Sequence, residues 1–340
     1  MMRITELYLY PIKALRPASI TRSYINQQGF EHDRRFMLVK VEPDGGLKNV
    51  QTIHFPDCTR LFQEIDGDDV VVRYKAPEVP LIPATPEQST ALRVPLRPST
   101  VGLQTIDITL MDSTGTAYRM ADEYNKWFSA CLGYEVVLVY LGDGKRPILA
   151  HTPPRPTMQK QGWLSTITSY VTSGQNSDMQ EPDVEQDWLT FNEAAPLLIT
   201  SEASLADVSA RLPDDQNMDM KRFRPNIVVD GLEKWDEDFW GELVIGQSRH
   251  KLALTANCAR CLSINIDYDT GRVANGEAGA VLKKLMKDRR VDTGNKWSPI
   301  FGRYAFLLDQ NGADIAVGDN VTVTERIAQR DVWTWPKGSS

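Results

Sequence analysis

The chain has 340 residues, 41% of them hydrophobic and 24% charged, which at roughly 150 residues per domain suggests two domains and excludes disorder, collagen-like repeats and coiled coil. A formal charge of −7 argues against a nucleic-acid-binding surface but leaves room for a local basic pocket that takes a small anion. Four cysteines, Cys58, Cys131, Cys258 and Cys261, are too few for a disulfide scaffold in a chain this long, and no apolar run is long enough to span a membrane.

The opening MMRITELYLYPIK is too polar for a signal peptide and reads as structure from about Arg3. The expected setting is therefore soluble and cytoplasmic. Ile4–Tyr10 is a predicted strand rich in β-branched and aromatic residues, stopped at Pro11 because proline cannot donate to a ladder. Arg35–Val41 is a second strand, followed by the turn Pro43-Asp44-Gly45-Gly46. Asp69–Tyr74 follows a turn at Asp66-Gly67, and Leu103–Met111 is expected to end in a turn over Asp112-Ser113-Thr114-Gly115. Strands at this spacing point to an antiparallel barrel or sandwich and away from a βαβ array. One helix interrupts them: Tyr124, Trp127, Phe128, Cys131 and Leu132 recur at helical spacing within Ala121–Leu132, with Gly133 as the stop. Cys131 thus belongs to a core. Glu135–Leu141 is the strand that closes the region.

Prolines 147, 153, 154 and 156, then the polar stretch Thr172–Gln186, mark a linker. The expected division is 1–145 for an N-terminal barrel, 146–187 for the linker and 188–330 for a second domain. There, Ser201–Leu212 reads as an amphipathic helix capped by Ser201 or Ser204 and ended by Pro213. Asn226–Val229 is a short strand, and Glu242–Ile245 with Lys251–Thr255 forms a hairpin around Gly246. Leu262–Asp267 is expected as a strand, Ala278–Lys287 as a helix, and Tyr304–Leu308 and Val321–Thr324 as the last strands. The Lys283-Lys284 and Arg289-Arg290 charges are expected on a solvated face. The fold class is a β-rich α+β chain.

The sharpest local pattern is Asn257-Cys258-Ala259-Arg260-Cys261. Structural zinc needs four ligands, and neither Cys58, Cys131 nor His32, His54, His151 and His250 supply a spaced partner pair. A thioredoxin-like pair expects its first cysteine at a helix start, whereas Leu262, Ile264 and Ile266 alternate as in a strand. That parity turns Cys261, Ser263 and Asn265 to the polar side. Two readings stay open for Cys261: a thiolate near Arg260 able to hold a soft metal, or a half-buried cysteine without a role. Arg222 and Arg224 share a side if their segment is extended, where arginine forks suit phosphate. Lys13 and Arg34-Arg35, beside strand ends, invite the same reading, as does its alternative, a solvated basic edge. Trp235 and Trp240 flank an acidic turn and are expected to pack, and Asp267 and Asp269 to stabilise a turn.

Taken together, LYPIK, DRRFMLV, LLITSEASLADVSARL, FRPNIVVDG, WDEDFWGELVIG, NCARCLSINIDYDTG, SPIFGRYAFLL and VGDNVTV resemble, in order and over nearly the whole chain, MOSC-domain proteins with an N-terminal β-barrel domain. The likeness is greatest to the mitochondrial amidoxime-reducing component family. The resemblance implies a barrel-like N-terminal domain followed by a MOSC β-barrel with peripheral helices. It also implies a molybdenum-pterin cofactor (molybdopterin) whose metal is held by Cys261. Lys13, Arg35, Arg224, Asn226 and Tyr304 would surround the pterin and phosphate, with the backbone of Ala259 and Arg260 close by. Glu193, Ala194 and Ala195 match a lining loop that usually carries Asp-Thr-Ser, so hydroxyl contacts there are replaced. The implied activity is reduction of N-oxygenated compounds such as amidoximes, hydroxylamines and N-oxides. Electrons would come from a separate donor, a cytochrome b5-type protein or a flavoprotein reductase. Pyridoxal phosphate binding is a further family-type expectation. The alternative is a cofactor or persulfide-sulfur carrier without reductase activity.

Overall fold

The computed structural model describes residues 2–80, 82–153, 187–231 and 233–336. Pro154, Pro156 and the Thr172–Gln186 stretch lie outside the described residues. Seven strands close a barrel in the order Ile227–Val229, Leu197–Ser201, Ile300–Leu307, His250–Ala259, Trp240–Ile245, Asn320–Arg326 and Met2–Leu9, the last pairing back onto the first. Alternate residues fill its interior, among them Ile199, Leu243, Ile245, Leu252, Leu254 and Leu307. Ile4, Leu7 and Leu9 all face inward because the pairing register shifts between Ile4 and Glu6, which resets the parity of the strand. The chain's first strand is thus a stave of a barrel whose other strands begin at Leu197.

One pair in this ring is parallel, Leu197–Ser201 with Ile227–Val229, joined across the helix Glu202–Ser209. This β-α-β crossover lies outside the N-terminal strands, and parallel neighbours need such a connection. Ser201 sits at the cap position but its hydroxyl makes no capping bond. Ser204 instead donates to Glu237 at 2.8 Å.

The intervening chain builds a half-barrel. A five-stranded sheet runs Thr105–Leu110, Ser113–Arg119, Val136–Tyr140, Phe36–Val41, Leu47–Asn49, and a three-stranded sheet runs Leu61–Asp66, Asp69–Tyr74, Ala91–Pro95. Between them Phe36, Leu38, Val70, Val72 and Leu138 meet the helix Asp122–Leu132, which buries Trp127, Phe128, Cys131 and Leu132. Gly133, at φ +79°, ends that helix in the left-handed conformation that glycine adopts without steric cost.

Four expectations are corrected. The reversal after Leu110 uses only Met111 and Asp112, at φ +48° and +61°, the backbone of a tight two-residue hairpin. Ser113, Gly115 and Ala117 are therefore strand residues turned inward, and their small side chains hide the alternation. Leu262–Asp267 is not one strand but a 3-10 turn, Leu262–Asn265, followed by Ile266–Asp267. Leu262 is 56% exposed while Asn265 is buried, because Asn265 accepts the Leu282 amide through its side chain at 2.9 Å. Arg222 and Arg224 are not on an extended segment: Met220–Phe223 is a 3-10 turn and Arg224 follows it at φ +55°. Arg289 is not solvated; it is buried and pairs with Asp238 through two contacts of 2.8 and 2.9 Å.

Candidate functional site

A hollow of about 410 Å³ lies where the half-barrel meets the closed barrel. The loop after the first strand brings Lys13, the start of the Phe36 strand brings Arg34, and the turn after Met220–Phe223 brings Arg224. Strand His250–Ala259 delivers Cys258 and Ala259 at its end, with Arg260 and Cys261 just beyond. Asn226, Glu193, Ala195 and Tyr304 complete the set of expected residues that reach this wall. Ala194 is buried behind it and Arg35 does not line it. Arg35 instead reaches the Gly142 carbonyl and lies 5.8 Å from both the Tyr140 and Trp188 rings. Arg34 takes the inward place because its backbone turns left-handed at φ +49°.

The cations are held by a shared scaffold. Asp33, with no exposed surface, pairs with Arg34 and accepts the Tyr10 amide at 2.9 Å and Asn226 Nδ2 at 3.2 Å. Asn226 Oδ1 accepts from the Leu198 amide at 3.2 Å and from Arg34 at 3.3 Å. Its amide is thus spent on positioning Arg34, the pattern expected of a fully buried polar group. Arg34 and Arg224 both lie over the Tyr10 ring, at 4.4 and 4.5 Å from its centroid. Arg224 Nη1 also donates to the Leu15 carbonyl at 3.0 Å.

Lys13 Nζ donates to the Phe191 carbonyl at 2.9 Å and to Glu193 at 2.5 Å. Burial pulls the Lys13 ammonium below its ordinary value, with Glu193 opposing. Burial works against the Glu193 carboxylate too, but Lys13 holds it below the usual carboxylate range. The segment carrying Glu193 is braced by Arg146, which donates to the Thr190 and Leu110 carbonyls at 3.0 Å each and to the Asn192 carbonyl. Burial lowers the Arg146 guanidinium to about 10.

The two cysteines of the CxxC differ sharply. Cys258 is buried, and its sulfur accepts from Arg260 Nη1 at 2.9 Å. Arg260 Nη2 also donates to the Phe223 carbonyl at 2.8 Å. Cys261 is exposed at the start of the Leu262–Asn265 turn, its sulfur 3.2 Å from Ser263 Oγ. The outward position of Cys261 comes from this 3-10 turn and not from strand alternation. Tyr304 faces Cys258, and burial, then Cys258, pushes its phenol well above the ordinary value. Gly302, at φ +83°, sits where a Cβ would come within 2.8 Å of the Ile199 carbonyl oxygen. Only glycine lets the Tyr304 strand lie this close to its neighbour.

Cys258, Met111, Ser263 and Trp333 also line the hollow without a sequence signal that places them there, and Arg34, a candidate phosphate-side cation from sequence, lines it where Arg35 does not. Arg34 differs from Arg35 only by one place in register. Among the described residues, no three His, Cys, Asp or Glu side chains converge as a metal site, and no helix is long and apolar enough to cross a membrane.

Residues 1–135 match the MOSC N-terminal beta barrel domain and residues 186–322 the MOSC domain. The chain belongs to the MOSC-domain proteins that carry this N-terminal barrel. Within that family it is similar to the human mitochondrial amidoxime-reducing component 1, at 38% identity over 140 residues, 40% of this chain and 39% of that protein. Rat mitochondrial amidoxime reducing component 2 is 27% identical over 94% of this chain and 82% of its own length. A rice molybdenum cofactor sulfurase is 24% identical over 98% of this chain but only 35% of its own length. Neither these MOSC relatives nor the matched domains support pyridoxal phosphate as a ligand.

Proposed function

We propose that the hollow binds a molybdenum-pterin cofactor and that the chain reduces N-oxygenated compounds, with the Cys261 thiolate as the protein's metal ligand. The observation that carries this reading is the pairing of an exposed thiol with a cationic wall in one cavity of an acidic protein. Four cations, Lys13, Arg34, Arg224 and Arg260, face two carboxylates, Glu193 and Asp33. The excess of positive charge matches a phosphate monoester, and Arg224 Nη2 and Arg260 Nε are buried without a partner among the described residues. Unsatisfied buried donors of this kind cost on the order of 1–3 kcal/mol each, which an anion would relieve. The donor set therefore fits the group.

When bound, the cofactor supplies the two-electron chemistry, and the protein supplies binding, orientation and charge. Arg224 and Arg260 would hold the phosphate, with Lys13 and Arg34 adding charge from the half-barrel side. Glu193 keeps the Lys13 proton at Nζ, and Asp33 with Asn226 fixes the Arg34 fork. Reduction of an N–OH group consumes two electrons and two protons and releases water. The electrons would come from a separate cytochrome b5-type or flavoprotein donor. The similarity to a molybdenum cofactor sulfurase favours a second reading, in which Cys261 carries sulfane sulfur and no reductase activity exists.

The deciding experiment is metal and sulfur analysis of protein produced in a host that makes the cofactor, with turnover of an amidoxime by a reduced dye. Stoichiometric molybdenum and turnover, both lost in Cys261→Ser, support the reductase. Sulfane sulfur on Cys261 without molybdenum supports the carrier.

A further inference from the structure

The outer end of the hollow is aromatic where its inner wall is cationic. Trp333 lines it, with its ring centroid 6.2 Å from that of Tyr304. Two more rings flank Trp333: His151 at 4.6 Å and 31°, and Trp335 at 5.5 Å and 4°. His151 Nε2 accepts the Thr334 amide at 3.4 Å, and burial lowers its pKa, so the ring stays neutral. Trp335 is outside the lining and reaches the Met111-Asp112 hairpin tip, where its Nε1 donates to Asp112 at 3.3 Å. The ladder thus starts in the cavity and runs outward past its rim.

This ledge is fixed in place. The Trp333 amide donates to Asp292 at 3.0 Å. The Asp331 carboxylate pairs with Arg303, which has no exposed surface. The Asp331 carbonyl accepts from Asn257 Nδ2 at 2.9 Å, and Asn257 directly precedes Cys258. A preordered aromatic surface binds a flat ring with little further loss of side-chain freedom, through offset or edge-on contact.

We infer that Trp333 is a specificity-determining residue that favours N-oxygenated substrates bearing an aryl ring over alkyl ones. The inference rests on the reductase reading above. A ring resident in the cavity would need only Trp333 and Tyr304; a ladder continuing outward to Trp335 suits a molecule arriving from solvent.

The test compares benzamidoxime with acetamidoxime on cofactor-loaded wild type, Trp333→Ala and Trp333→Phe. The expected result in Trp333→Ala is a KM for benzamidoxime raised about tenfold at unchanged kcat, with acetamidoxime shifted less than about twofold. Trp333→Phe should recover most of the loss, and molybdenum content should not change. Equal shifts for both substrates, or molybdenum lost from Trp333→Ala, overturn the inference. Calorimetry of benzamidoxime on the cofactor-free protein is the second readout. Binding weakened about tenfold in Trp333→Ala supports the ledge, and binding equal to wild type overturns it. If loaded wild type reduces neither compound, the reductase reading fails, and the calorimetric result still decides the ledge.

Discussion

In the half-barrel, Trp127, Phe128, Cys131 and Leu132 meet Leu38, Val70, Val72 and Leu138 in an interior made of apolar groups. Burial there pushes the Cys58 and Cys131 thiols up to about 12, so both are held neutral. At the seam beside the closed barrel, Lys13, Asp33, Arg34 and Arg260 are buried almost as deeply, yet they are charged and tied to one another or to carbonyls. The first interior is stabilised by area removed from water, at about 25 cal/mol per Å², and tolerates the loss of any one contact in proportion. The second persists only while its partners are complete, since a lone buried charge is far costlier than a lost methyl group. Buried, mutually tied charges of this kind cluster at functional sites.

The sharpest way to break this contrast is Asp33→Ala. It leaves Arg34 buried without its carboxylate and strips partners from the Tyr10 amide and Asn226 Nδ2. Denaturant unfolding should register a loss of about 3–5 kcal/mol. A loss below about 1 kcal/mol would mean the seam is effectively solvated and the two regions do not differ.

A smaller effect is expected at Glu237, which lies in neither region but repeats the theme. It has no exposed surface, accepts from Ser204 at 2.8 Å, and leaves Oε1 without a partner among the described residues. Burial raises its carboxyl from 4.5 to about 7. Between those values the folded state keeps a proton that the unfolded chain has lost, so stability falls as pH rises through that window. The total is on the order of 3 kcal/mol, at about 1.4 kcal/mol per pH unit. Glu237→Gln keeps an acceptor for Ser204 and should flatten the wild-type decline in thermal stability between about pH 5 and pH 7.5. An unchanged slope would assign that decline to another group.

These sites were unequally legible in the sequence. The strand Asp69–Tyr74 and the helix ending at Gly133 are written in local patterns, apolar periodicity and a left-handed stop, and the structure has them. Periodicity failed where a side chain makes a long-range bond, as at Asn265, whose acceptance of the Leu282 amide makes a turn of an apparent strand. It also failed where the inward residues are small, as in Ser113–Arg119. Of the neighbouring Arg34 and Arg35, only the backbone dihedral selects which enters the hollow, and an Arg-Arg dipeptide carries no sign of that. Trp333 stands 75 residues beyond Cys258 in a segment with no regular element, so nothing local announces that it reaches the cavity.

The same chemical change made once in each region gives the finest comparison. Cys131→Ser places a hydroxyl among Trp127, Phe128 and Leu132, where it would lie in an apolar core. Equilibrium unfolding should show a loss of about 1–3 kcal/mol. Cys261→Ser exchanges sulfur for oxygen at an exposed position whose hydrogen-bond-range contact to Ser263 Oγ a serine hydroxyl can also make. Its stability should stay within about 0.5 kcal/mol of wild type. That near-neutrality matters for function, because it means that molybdenum lost from Cys261→Ser reports on ligation by the sulfur and not on unfolding. If Cys261→Ser destabilised the chain as much as Cys131→Ser, Cys261 would be a structural residue, and the division between an apolar interior and an exposed rim would fail at its most important atom.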